Sequence, residues 1–156
     1  MRSLQSWFDE YGESHQHPTN SAIHWVCVPL ILFAVLGLLF ALPRPDAFAA
    51  VGPRFGNWTM VAIVLALGWY AVRSWRIALG MALVVALMIG AQHALILLPG
   101  QPWQWNAAIF IAAWIGQFVG HRIEGRKPSF FKDLAFLLVG PAWLLGKLYR
   151  RAGIAD

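Results

Sequence analysis

The run from Ile23 to Leu42 reads IHWVCVPLILFAVLGLLFAL, twenty residues without a single Asp, Glu, Lys or Arg. About 20 apolar residues in a helix cover the roughly 30 Å of a bilayer's hydrocarbon, whereas a helix on the surface of a soluble core carries a polar stripe. The run therefore predicts a membrane helix over about 19–42. Pro18 or Thr19 opens it, since proline has no amide hydrogen to lose in a first turn, and Pro43, Arg44 and Pro45 stop it. Pro29 stands inside it as a candidate kink.

Trp58–Val72 is a second apolar run, which ends before Arg73 or continues to about 79 with Arg73 and Arg76 reaching out to the interface. A third covers about 77–98. Pro99-Gly100-Gln101-Pro102 turns into a fourth, about 103–120, whose Trp103 and Trp105 suit interfacial anchors. The last, about 130–149, is interrupted at Gly140-Pro141, so it crosses with a kink, dips in and returns, or lies along the surface. Ahead of these, Leu4, Trp7, Phe8 and Tyr11 recur at helical spacing and predict an amphipathic helix over about 3–15 lying at the membrane surface. The expected fold class is all-α: a polytopic helical membrane protein with four to five membrane helices plus an N-terminal interfacial helix, residues 1–156 forming one integral membrane domain.

Composition agrees with this setting, because 59% of the 156 residues are hydrophobic and only 12% charged, far from an average soluble domain. The net charge of +5 does not point to nucleic acid: the basic residues stand in short clusters between apolar runs rather than along one groove-sized face. Threading the first four runs alternately puts Arg2, Arg73, Arg76, Arg122, Arg126, Lys127 and Lys132 on one side and Arg44 and Arg54 on the other, so the first side is cytoplasmic by the positive-inside rule. Lys147, Arg150 and Arg151 join it if the last segment does not cross, which favours four spans over five. Membrane lipid, some of it anionic, is the expected surrounding. Met1 to Asn20 carries Asp9, Glu10 and Glu13 and lacks the marks of a cleavable signal, so the first membrane helix is expected to serve for insertion. Cys27, the lone cysteine, can form no intrachain disulfide.

Chemistry is expected where the histidines gather. Of five, His15, His17, His24 and His121 fall near helix ends on the side read as cytoplasmic. Asn20 and His24 are four apart, and Gln117, His121 and Glu124 follow a four-then-three step, so each set occupies one helix face. Such groups at membrane depth are costly unless they pair or bind something. Spacing leaves three readings open. The groups hydrogen-bond one another to hold two helices together in a non-catalytic scaffold or lipid-binding protein, Gly116 and Gly120 allowing close approach. Alternatively, three histidines with a nearby carboxylate hold a first-row transition metal such as iron, Asn20, Gln117 or Tyr11 orienting the imidazoles. A b-type haem on two of the same histidines is the third. His93 lies deep in its run, about 24 Å from the cytoplasmic end at ~1.5 Å per residue, and His17 before Pro18 suits a helix cap or water. The chain has no HExxH, GxSxG, GK[ST] phosphate loop or CxxCH haem motif.

Two stretches, Tyr11-xxx-His15-xx-Pro18-x-Asn20-xxx-His24-xxxx-Pro29 and Gln117-xx-Gly120-His121-xx-Glu124-xxx-Pro128, resemble in sequence and order the hallmark segments of the membrane 2-hydroxy fatty acid dioxygenases. Pro128-Ser129-Phe130-Phe131-Lys132-Asp133-Leu134 and Gly140-Pro141-Ala142-Trp143 extend the similarity over nearly the whole chain, in the manner of bacterial members, with the inner membrane as the expected location. The resemblance implies an Fe(II)-dependent step of fatty-acid α-oxidation that consumes molecular oxygen and shortens a 2-hydroxy fatty acid by one carbon. Carried over by motif position, it implies His15, His24 and His121 as iron ligands, with Asn20, Gln117, Glu124 and Tyr11 as catalytic, orienting or substrate-facing groups, or with Glu124 as a further ligand. Arg122, Arg126 or Lys127 are candidates to attract the substrate carboxylate, against their plain role in a basic loop.

Overall fold

The starts of the first five α-helices are set by residues whose side chains accept a bond from an otherwise unpaired first-turn amide. The computed structural model describes residues 2–52, 54–127 and 135–154. Ser3 accepts from the Ser6 amide at 3.2 Å to open α1 (Leu4–Gly12), and His17 Nδ1 accepts from the Thr19 amide at 3.2 Å to open α2 (Pro18–Phe40). Asn57 caps α3 (Trp58–Ala71) through the Met60 amide at 3.0 Å, and Ser74 caps α4 (Trp75–Ile96) through the Ile77 amide at 3.3 Å. Gln101 and Gln104 form a capping box at the start of α5 (Pro102–Glu124), which Gly125 ends in the left-handed region at φ 72°. α6 (Phe136–Arg151) follows, and a short 3-10 helix, Asp46–Val51, lies in the α2–α3 connection.

The fold class is all-α among the described residues, as expected. Ser74 decides between the two ends left open for α3: its extended backbone, φ −158° and ψ 111°, and its cap on α4 end the helix at Ala71, before Arg73, and not at 79. The expected segment Pro128 to Leu134, with Lys132 and the start of the last run, lies outside the described residues.

Among the described residues two helices, α2 and α4, are long and apolar enough to cross a membrane. On α4, Ile77, Met81 and Val85 are buried, while Leu79, Leu83 and Leu87 on another face are more than 60% exposed. Both faces are therefore apolar, one packed on protein and the other left for an apolar surrounding.

α1 has the expected amphipathic spacing, but its apolar face is used differently. Leu4, Trp7, Phe8 and Tyr11 are all buried, with Trp7 edge-on to Phe136 at 5.1 Å and Tyr11 edge-on to Trp143 at 5.2 Å. The face that was expected to rest in lipid is covered by α6, because aromatic side chains on both helices interlock.

α2 and α5 form the principal helix pair. A methyl group added at Gly116 would meet Cys27 Sγ, and one at Gly120 would overlap Asn20 Oδ1, so these two glycines let the helices approach at the level of Asn20. α6 runs antiparallel to α2, with Lys147 Nζ 3.5 Å from Ser21 Oγ and Gly140 facing Val28. Tyr149 also donates to the Arg76 carbonyl at the start of α4, at 3.1 Å. The ends of α5 and α6 thus both lie beside the start of α2, and the chain after α5 returns to the end of the bundle it left. At the opposite end, the Gln92 and Asn106 amides pair at 3.0 Å in both directions.

Candidate metal centre

Three imidazoles converge where α1, α2 and α5 meet. His15 sits in the connection after α1, His24 two turns into α2, and His121 one turn from the end of α5; each is 4% exposed or less. Ring centroids are 4.2 Å apart for His15–His24, 4.9 Å for His24–His121 and 5.0 Å for His15–His121, all edge-on. One nitrogen from each ring lies within 4.8 Å of those from the other two.

The tautomers follow from the backbone. His15 Nδ1 is 2.5 Å from the Tyr11 carbonyl and His24 Nδ1 is 2.9 Å from the Asn20 carbonyl. A carbonyl only accepts, so both Nδ1 atoms carry the hydrogen and both Nε2 atoms keep a lone pair. His15 Nε2, His24 Nε2 and His121 Nδ1 are buried without a hydrogen bond of normal geometry. Unpaired buried acceptors are rare and costly. Burial lowers the His15 pKa to about 3, the neighbouring His24 adding to the effect, so the ring is neutral and free to ligate at neutral pH. Three neutral imidazole donors with unused lone pairs are a set that suits a divalent transition metal such as zinc, copper, iron or nickel, so these residues fit a metal.

Second contacts fix the rings. Tyr11 stacks on His15 at 4.1 Å, and Trp143 lies 5.4 Å from the same ring. Glu124 ties the His15 connection to α5: its two oxygens accept the Gln16 amide at 2.9 Å and the His17 amide at 2.8 Å. Asn20 Nδ2 bridges from the Ser14 carbonyl to Glu124, both at 3.0 Å. Burial alone would raise the Glu124 pKa, but these donors together with the nearby His15 hold it below the ordinary carboxylate range.

Gln117 is 5% exposed, one turn before His121, and its Nε2 makes no hydrogen bond of normal geometry. With Tyr11, His24 and His121 it closes one end of a cavity of about 290 Å³ whose remaining walls are apolar residues of α2, α5 and α6. Arg122, Arg126 and Lys127 are exposed, and none lines this cavity. His17 is exposed and serves as the α2 cap, while His93 is exposed near the far end, where it borders a second cavity. The structure thus brings together His15, His24, His121, Tyr11, Asn20, Gln117 and Glu124 and leaves out His17 and His93. Sequence reasoning missed Trp143: the Gly140-Pro141-Ala142-Trp143 stretch was visible, but nothing local tied it to His15.

Residues 1–152 match a protein family described as Mpo1-like, 2-hydroxy-palmitic acid dioxygenase. No curated protein and no solved structure gives a match.

Proposed function

The chain belongs to the Mpo1-like 2-hydroxy-palmitic acid dioxygenase family, and from that membership we propose an iron(II)-dependent dioxygenase that takes a 2-hydroxy fatty acid and molecular oxygen, breaks the bond to the carboxyl carbon, which leaves as a one-carbon product, and returns a chain one carbon shorter. One observation carries the reading: three buried histidines each bring a ring nitrogen within 4.8 Å of the other two, and His15 Nε2, His24 Nε2 and His121 Nδ1 make no hydrogen bond of normal geometry. A network made only to hold helices together pairs its polar groups with each other, and this one leaves those three atoms without such a bond. Edge-on rings 4.2 to 5.0 Å apart also leave no gap for a porphyrin plane, which argues against the haem alternative.

His15, His24 and His121 would hold the iron, and iron(II) bound there would supply the electrons that activate oxygen. The chain's own groups do the rest. The Tyr11 and Asn20 carbonyls orient His15 and His24 through their Nδ1 hydrogens. Gln117 and Tyr11 offer neutral donors at the closed end of the cavity, where a substrate carboxylate or 2-hydroxyl would sit. Burial pushes the Tyr11 pKa far up, so its phenol stays protonated and acts as a donor. The apolar walls exclude water and receive the tail.

The reading takes the whole chain to be one integral membrane domain with four crossings, α2 to α5, and with α6 returning to the cytoplasmic side of a bacterial inner membrane. It is supported by the apolar exposed faces and by the gathering of Arg73, Arg76, Arg122, Arg126, Lys147, Arg150 and Arg151 at the end where α2 begins. Metal analysis and oxygen uptake on a 2-hydroxy fatty acid, in wild type and in His24→Ala and His121→Ala, test the function. Stoichiometric iron and uptake, lost together in folded variants, support it. A folded wild type that retains no iron after reconstitution and consumes no oxygen sinks it.

A further inference from the structure

The cavity beside the histidines has a shape that its chemistry alone does not require. On α2 it is lined by His24, Val28, Ile31 and Val35, and on α5 by His121, Gln117, Trp114 and Phe110. Both series repeat every three or four residues, so each is a single stripe along its helix, and in both the first and last residues are eleven positions apart. At about 1.5 Å per residue each stripe runs about 16 Å from the histidines. Half of a bilayer's roughly 30 Å hydrocarbon is about 15 Å, the depth one leaflet gives a lipid's tail. Apart from the Trp114 indole, the polar side chains of the lining, Tyr11, His24, Gln117 and His121, stand at the histidine end. Leu137, 48% exposed on α6, stands on the rim and leaves the groove open sideways.

We propose that this groove is a ruler for the acyl tail, with Val35 and Phe110 at its far end setting the longest tail that can be fully held. The inference rests on the reading of the histidines as the reacting end. The tail lies between α2 and α5 with its end toward the bilayer midplane, in the same sense as a lipid of the leaflet on the histidine side. A 2-hydroxy acid dissolved in that leaflet enters sideways past Leu137 and never leaves hydrocarbon.

The test is equilibrium binding of saturated 2-hydroxy acids of increasing length to the full-length, iron-loaded protein in nanodiscs without oxygen, alongside aerobic turnover. In wild type, affinity expressed against acid dissolved in the nanodisc lipid changes little with length while the groove holds the whole tail, because the tail exchanges one hydrocarbon for another, and it breaks downward once the tail outruns Val35 and Phe110. Val35→Trp blocks the far end and moves the break to shorter tails; Phe110→Ala opens it and moves the break to longer ones. If either variant fails to fold, the other decides. A folded variant that keeps the wild-type break, or an affinity without a break at any length, overturns the ruler. A break that moves without any turnover retains the groove and removes the dioxygenase reading, and turnover with an unmoved break does the reverse.

Discussion

The carboxylate of Glu124, the last residue of α5, accepts the backbone amide of His17 at 2.8 Å, across 107 positions of sequence. Its other oxygen takes the neighbouring Gln16 amide, so the connection carrying His15 is fastened to the helix carrying His121. With both oxygens so used, Glu124 acts through the position of His15. Glu124→Gln keeps one acceptor and loses the other with the charge. It should lower iron affinity by about 10- to 100-fold, as loss of an orienting group around a metal does, and Glu124→Ala should lower it further. Iron titration of folded variants checks this, and unchanged affinity in Glu124→Ala would refute the clasp.

Protonation gives a second expectation. With no metal bound, burial lowers His15 to about 3, against ~6.5 for an ordinary imidazole. Between these values the unfolded chain binds a proton that the folded chain does not, so stability present above pH ~6.5 is lost as pH falls toward about 3. Glu124, also held low, acts in the same direction at the acid end of that window. Iron binding to the neutral rings should deepen the pH dependence, since protons and metal compete for the same lone pairs. Thermal melts across pH with and without iron(II) measure it, and an iron-free melt flat from pH 7 to pH 4 would contradict it.

Much of the site was legible because its parts are local. Asn20 and His24, or Gln117, His121 and Glu124, share a helix face by spacing alone, and the two motif stretches pointed to the family that the match identifies. What was not legible depends on distant chain. Tyr11 shares the apolar stripe of a surface helix by spacing, yet the partner that covers it is α6, because only packing decides what an apolar face meets. The partners of Glu124 are backbone amides of Gln16 and His17, which any residue type supplies, so no sequence pattern marks them. The α3 boundary turned on Ser74, whose preference for capping outweighed apolar residues on either side of it.

Gln117 offers a test that separates substrate contact from scaffolding. Its Nε2 is buried without a hydrogen bond of normal geometry, and the side chain lies within reach of His24, so Gln117→Leu should change stability little. Iron content should be unchanged, while KM for the 2-hydroxy acid rises about 10-fold, the equivalent of one lost hydrogen bond. Melting temperature, iron content and kinetics on one preparation decide it. A destabilised variant with normal KM would make Gln117 a structural residue.

The path of α6 sets the last expectation. Lys147 meets Ser21 near the start of α2, and Tyr149 meets Arg76 at the start of α4, so α6 ends at the face where α5 ended. Arg54 borders the second cavity together with Gln92 and Asn106, at the other end. Single cysteines at Arg73, Arg151 and Arg54 report these positions, and the native Cys27 is buried against α5, so its own labelling should be slow. An impermeant thiol reagent applied to intact cells should reach a cysteine at position 54 and spare those at 73 and 151 until the membrane is opened. If α6 crossed, 151 would label with 54. That outcome would separate the end of α6 from Ser21 and Arg76 by a whole bilayer, which the contacts at both residues do not permit.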